Sequence, residues 1–260
     1  MTLYQEGDGD GALALVCLHG WGLNLRVFDG LRAALARPVV AIDLPGHGAS
    51  PWDASRGSFE QQAEQLLEAL PARSVLLGWS LGGQFALELA RRAPSRIAAL
   101  VLVATTPRFV AGPDWPYGMA PSVMQRFAAQ LTGAWRQTVA EFLQLQVRGS
   151  RDAPYALERL ELALQAHGEA QPEALVAGLD ILARNDLRAT VATLALPALI
   201  VSGQHDRITA PGAGAWLAQQ LEAGFCELPR AGHAPFLSHA PAFCDELEQF
   251  LAAEVTSDAA

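Results

Sequence analysis

Five short, mainly apolar runs dominate this chain, and helical patterns separate them. The runs cover residues 12–18, 38–42, 74–79, 97–104 and 195–202. A strand buried on both faces reads as a nearly continuous apolar run, because both of its sides meet other layers. Between the runs the apolar period becomes that of a helix. Phe59, Ala63, Leu66, Leu67 and Leu70 share one helical face, and Ser58 with Gln61 three residues later forms a capping-box signal. Phe85 and Leu89 continue the pattern in the next helix, which ends before Pro94. Phe243, Leu247, Phe250 and Leu251 mark a last helical face. Strands alternating with helices predict an α/β fold with a mainly parallel sheet flanked by helices.

The rhythm breaks between Arg108 and Leu187, where no buried-strand run stands out. The break opens on Gly112-Pro113-Asp114-Trp115-Pro116-Tyr117-Gly118 and continues in helical patterns. We expect a core formed by residues 1–107 and 188–260, with a helical cap over 108–187. A chain of 260 residues buries enough surface for one large domain without staples. The tail from Thr256 is expected to fray.

Charge and residue types exclude several chemistries. The net charge is −9, which gives a nucleic-acid partner little electrostatic support. All 18 basic residues are arginine. Without lysine there is no Schiff base, no pyridoxal-phosphate attachment and no phosphate-loop lysine. Cys17, Cys226 and Cys244 have neither metal-ligand nor redox spacing and read as buried thiols in a reducing compartment. We expect no metal and no organic cofactor. The apolar runs are too short to span a membrane. The N-terminal Met1-Thr2-Leu3-Tyr4-Gln5-Glu6 has no basic start leading into an apolar stretch, so a cytoplasmic home is expected, and with no long exposed apolar stripe a monomer is expected.

Gly78-Trp79-Ser80-Leu81-Gly82 matches G-x-S-x-G after a strand-like run and before a helix. That context predicts a sharp turn that lifts the Ser80 hydroxyl clear of the sheet. A serine hydroxyl needs a base. Of the six histidines, His233 in Arg230-Ala231-Gly232-His233-Ala234-Pro235 follows the strand-like Phe225-Cys226-Glu227-Leu228 and suits the role best. Asp206 follows the strand-like Ala198-Leu199-Ile200-Val201 and supplies the orienting acid. Ser80, Asp206, His233 is one of the chain orders known for a catalytic triad. His19-Gly20-Trp21-Gly22 follows the first run, and the backbone amides of Trp21 and Leu81 are the expected oxyanion donors. Asp43-Leu44-Pro45-Gly46-His47-Gly48 reads as a structural turn.

Together these residues resemble the α/β-hydrolase superfamily over essentially the whole chain. A narrower resemblance rests on His19-Gly20-Trp21-Gly22-Leu23-Asn24, on Trp79 beside the serine, and on His233-Ala234-Pro235-Phe236 with Ser238-His239. It rests also on Phe142-Leu143-Gln144-Leu145-Gln146, Gly178-Leu179-Asp180-Ile181-Leu182 and Asp186-Leu187-Arg188. These motifs are similar to the pimeloyl-acyl-carrier-protein methyl ester esterases of biotin synthesis. The resemblance implies hydrolysis of a methyl ester at the end of a pimeloyl chain carried by acyl carrier protein. It implies that Trp21, Phe142, Leu143, Gln144, Leu145 and Gln146 line the acyl site; by pattern alone the last five also read as an ordinary amphipathic helix. Residues 121–151 hold Arg126, Arg136, Arg148 and Arg151 against Glu141 alone, a balance of +3, and Arg159 lies just beyond. Such a surface suits an acidic carrier, although solvated arginines read the same way. Gln137, Glu141, Pro154 and Glu158 stand where the resemblance leads one to expect arginine. A broad short-chain carboxylesterase, an enol-lactonase, a carbon–carbon hydrolase and a ligand receptor use the same frame.

Overall fold

The computed structural model describes residues 2–7 and 13–254. Met1, Ala12 at the start of the first apolar run, and the tail from Thr256 lie outside them. One sheet holds β1 (Gln5–Glu6), β2 (Ala14–Leu18), β3 (Val39–Ile42), β4 (Ser74–Trp79), β5 (Ile97–Val103), β6 (Ala198–Gly203) and β7 (Gly224–Leu228), in the order β1-β3-β2-β4-β5-β6-β7. Every neighbouring pair is parallel except β1 with β3. β2, β3, β4 and β6 are buried at every position, as their unbroken apolar runs predict. β7 is the edge opposite β1, and Phe225 on it is exposed.

The sequence pattern missed β1. Its two residues, Gln5 and Glu6, carry no apolar signal, and only pairing with Ile42 and Ala41 makes them a strand. The thiols also need correction. Cys17 is buried in β2, but Cys226 and Cys244 are only half-buried, one on the edge strand and one on the last helix.

Helices cover the sheet. α1 (Asp29–Ala34) precedes β3, α2 (Phe59–Ala69) precedes β4, and α3 (Leu81–Arg92) follows it. α2 starts in a full capping box, with the Ser58 hydroxyl accepting from the Gln61 amide and the Gln61 side chain accepting from the Ser58 amide. α4 (Pro121–Val147), α5 (Ala153–His167), α6 (Pro172–Arg184) and the short α7 (Arg188–Val191) lie between β5 and β6. α8 (Pro211–Leu221) precedes β7; α9 (Pro235–Ser238) and α10 (Ala240–Glu254) follow it. Proline sits in the first turn of α4, α5, α6 and α8, where its missing N–H costs nothing and its fixed φ suits the helix. α4 is bent at Ala134, which has non-helical φ −146° and ψ 50° beside Gly133, a weak helix former. Phe243, Leu247 and Leu251 of α10 are fully buried, each contributing about 2–3 kcal/mol of apolar burial. No helix among the described residues is long and apolar enough to cross a membrane.

Candidate active site

The site forms at the carboxyl ends of β2, β4, β6 and β7, where an open α/β sheet leaves a crevice. β4 ends at Trp79 and α3 begins at Leu81, so Ser80 makes the whole turn. Its backbone sits at φ 57° and ψ −116°, a conformation costly for any residue with a side chain. The turn demands glycine on both sides because backbones touch. A Cβ on Gly78 would come 2.5 Å from Gly83 Cα, and one on Gly82 would come 2.2 Å from the Leu18 carbonyl oxygen. The Ser80 amide donates to the Val103 carbonyl at 3.0 Å, which ties the strained turn to β5.

His233 is brought to that turn by Trp79, the residue before the serine. The Trp79 indole N–H donates to the His233 carbonyl at 2.8 Å, and the two rings lie 5.7 Å apart. On the other side the His233 amide donates to the Gln146 carbonyl at 2.8 Å. The imidazole is 1% exposed. Its Nδ1–H donates to Asp206 Oδ2 at 2.7 Å. A carboxylate only accepts, so the proton belongs on Nδ1 and Nε2 carries a free lone pair. Nε2 is buried with no hydrogen-bond partner among the described residues.

Asp206 is held by four donors. The Thr209 hydroxyl donates to Oδ2 at 2.7 Å, and the amides of Ile208 and Thr209 donate to Oδ1 at 2.7 and 3.0 Å. With His233, this uses both oxygens and leaves the carboxylate one orientation. Sequence reasoning missed Thr209. The Asp-x-x-Thr spacing at 206–209 is its signal, since short polar side chains readily bond backbone amides two or three residues on.

The amides of Trp21 and Leu81 donate to no acceptor among the described residues. Gly20 lets the first loop approach, with its Cβ position 3.4 Å from Ser80 Cβ. Two further histidines hold this loop. His19 Nδ1–H donates to the Gly20 carbonyl at 2.8 Å, and its Nε2 accepts from the Leu44 amide at 3.0 Å. His47 Nδ1–H donates to the Pro45 carbonyl at 3.0 Å, and its Nε2 accepts from the Gly22 amide at 3.3 Å. Both rings must stay neutral to accept. Burial drives both basicities down, that of His47 from 6.5 to about 4. Asp43, the turn residue given no chemical role, is buried and accepts from the amides of Leu25 and Ala49; His167 of α5 meets it at 2.8 Å.

A pH dependence of stability follows. The folded chain protonates His47 only near pH 4, whereas the unfolded chain does so near 6.5. Unfolding therefore takes up protons between these values. Stability is complete above about pH 6.5 and is lost as pH falls. At pH 5 the expected loss is about 2 kcal/mol from His47, with His19 adding in the same direction. Urea denaturation at pH 7.5 and pH 5 measures this, and His47→Asn should flatten the slope. An unchanged midpoint would show that the histidines are not buried in the neutral form.

The acyl-site expectation divides. Trp21, Phe142, Leu143 and Gln146 are buried, and the edge of Phe142 meets the Trp21 ring at 5.1 Å. The Trp21 indole N–H donates to the Leu175 carbonyl at 2.9 Å, and Gly178 packs against the ring. Gln144 instead is exposed and Leu145 half-buried. Five successive residues of one helix point around its axis and cannot all face one cavity. Gln146 Oε1 and Ser150 Oγ are buried without a partner among the described residues. Of the arginines, Arg136 is engaged: it pairs with Glu169 and stacks on Trp135. Arg126, Arg148, Arg151 and Arg159 are exposed and form no ion pair with a described residue.

A seven-stranded sheet with a serine on a strained strand–helix turn and a buried His–Asp pair defines a class. The chain belongs to the alpha/beta hydrolase family, whose model matches residues 15–246. Within it, the chain is 42% identical over 240 residues to the pimeloyl-[acyl-carrier protein] methyl ester esterase of Nitrosomonas europaea, covering 91% of this chain and 94% of that one. It is 41% identical over 254 residues to the same-named protein of Chromobacterium violaceum, covering 96% and 98%. Among solved structures, an enol-lactonase from Burkholderia xenovorans superposes with a TM-score of 0.81 at 26% identity, covering 96% of each chain. A bromoperoxidase from Bacillus anthracis superposes with 0.85 at 20% identity over 96% and 95%, a likeness of fold alone.

Proposed function

We propose that this chain is a serine carboxylesterase that hydrolyses the methyl ester of a pimeloyl group carried by acyl carrier protein, giving the free acid and methanol. The observation that carries the chemistry is His233: Nδ1–H fixed on Asp206, Nε2 buried and bare, and the ring held beside the Ser80 turn. The relatives' shared name supports the choice of ester.

Ser80 Oγ attacks the ester carbonyl while His233 Nε2 takes its proton. The carbonyl oxygen becomes an oxyanion, held by the amides of Trp21 and Leu81 at the start of α3. The carbon–methoxy bond breaks, and the methoxide leaves with the proton from His233 as methanol. Water then attacks the acyl-serine as His233 takes one of its protons. The acid departs, and His233 returns the proton to Ser80. Helices α4 to α6, within residues 108–187, act as a cap, and Trp21, Phe142, Leu143 and Gln146 form the acyl wall. The reaction needs no metal or organic cofactor.

The test is genetic. Expressed in a bacterium lacking its own pimeloyl-carrier methyl esterase, the chain should restore growth without biotin. Failure to grow, with purified protein still active on carrier-free short esters, would replace this reading by a general carboxylesterase.

A further inference from the structure

Against a net charge of −9, four arginines gather on one side of the site. Arg148 and Arg151 lie in the turn after α4. Arg207 directly follows Asp206, and Arg230 stands three residues before His233. Hydrogen bonds sew these segments together. The Arg151 amide donates to the Arg230 carbonyl at 3.0 Å, and His205 Nδ1 donates to the Gly149 carbonyl at 2.7 Å. The His205 amide donates to the Ala231 carbonyl at 2.8 Å. Arg148, Gly149 and Arg207 line one cleft together with Leu145.

All four arginines are exposed, and none forms an ion pair with a described residue. Most other arginines are paired, Arg126 and Arg159 being exceptions. Arg188 pairs with Asp114 and Asp186, and Arg184 with Asp180. Asp152 is the carboxylate in the same turn, and Asp206 is turned inward onto His233. Two of the four cations come from the sheet's own loops and two from the helical segment, so they meet only in the folded chain.

Resting on the esterase reading, the geometry points to this seam as the docking surface for an acidic carrier protein. The cleft between Arg148 and Arg207 takes the phosphodiester of the arm that tethers the acyl group. A guanidinium offers a rigid fork of donors that matches two phosphate oxygens, and two lining one cleft can hold the group together. Arg151 and Arg230 on the rim attract the carrier's carboxylates over roughly the 8 Å Debye length of physiological salt. The location is suited to delivery, because Gln146, the residue after Leu145, accepts the His233 amide at its carbonyl. This shifts the carrier contact from the helix surface expected from sequence. Arg136 is already paired, and Arg159 lines a separate cleft with Arg26 and Tyr155. The core arginines Arg207 and Arg230 take their place.

The experiment compares kcat/KM for the carrier-borne methyl ester with that for a carrier-free methyl ester, at low and high salt. The proteins are the wild type, Arg207→Gln with Arg230→Gln, Arg148→Gln with Arg151→Gln, and, as a control, Arg56→Gln, where the native arginine is paired with Glu68. Each seam pair should lower the carrier-borne to carrier-free ratio at least about tenfold at low salt, mainly through KM, and flatten its salt dependence. The control should stay within about twofold. Seam pairs that match the control on a wild type active toward the carrier-borne ester overturn the seam and leave the esterase reading standing. A wild type that cleaves only the carrier-free ester overturns the carrier-borne substrate of the proposed function, and the seam with it.

Discussion

Ser80→Ala should lower kcat for ester hydrolysis by on the order of 10⁵ to 10⁶ and leave the chain folded. The hydroxyl is the only proposed nucleophile, and neither His233 nor the oxyanion amides can form an acyl intermediate without it. Folding should survive because the strain lies in the backbone, at φ 57° and ψ −116°. Alanine carries the same Cβ and pays the same cost. The Ser80 hydroxyl also caps no amide of α3, so its loss leaves no orphaned helix donor. Steady-state rates on a simple methyl ester, with a thermal melt of the same sample, measure both halves. A variant within a hundredfold of wild type would remove Ser80 from the chemistry.

Asp206→Asn should cost about 10³ to 10⁴ in kcat with little change in KM. The argument is one of proton placement. Oδ1 accepts from two backbone amides, which an asparagine carbonyl satisfies equally well. The new NH₂ then stands where Oδ2 was, facing His233 Nδ1. It donates where the carboxylate accepted, and the imidazole moves its proton to Nε2. A protonated Nε2 cannot receive the Ser80 proton. The Thr209 hydroxyl, which donates to Oδ2, can rotate to accept, so the swap leaves no unpaired group and the fold persists. The pH profile distinguishes this from loose packing: part of the rate should return at high pH, where hydroxide substitutes for the base. A kcat within tenfold of wild type would show that Asp206 does not set the tautomer.

The sequence by itself determined the local geometry. The apolar runs at 38–42, 74–79 and 97–104 have strands in them, because burial on both faces leaves no polar positions to interrupt the run. Ser58 and Gln61 marked a helix start that the capping box realises. Gly78 and Gly82 marked a turn too crowded for any Cβ. Each of these signals is written within a few neighbouring residues, even where, as at Gly82 against the Leu18 carbonyl, the crowding comes from another strand. The tertiary structure decided the rest. It made a strand of Gln5 and Glu6, which have no apolar pattern of their own. It turned Gln144 outward and Gln146 inward on the same helix. It joined Trp79 to the carbonyl of His233 across 154 residues, and His167 to Asp43 across 124. It brought Arg148 and Arg207 to one cleft. Such contacts leave no periodic trace, because each depends on where packing places two distant segments rather than on the spacing of residues within either.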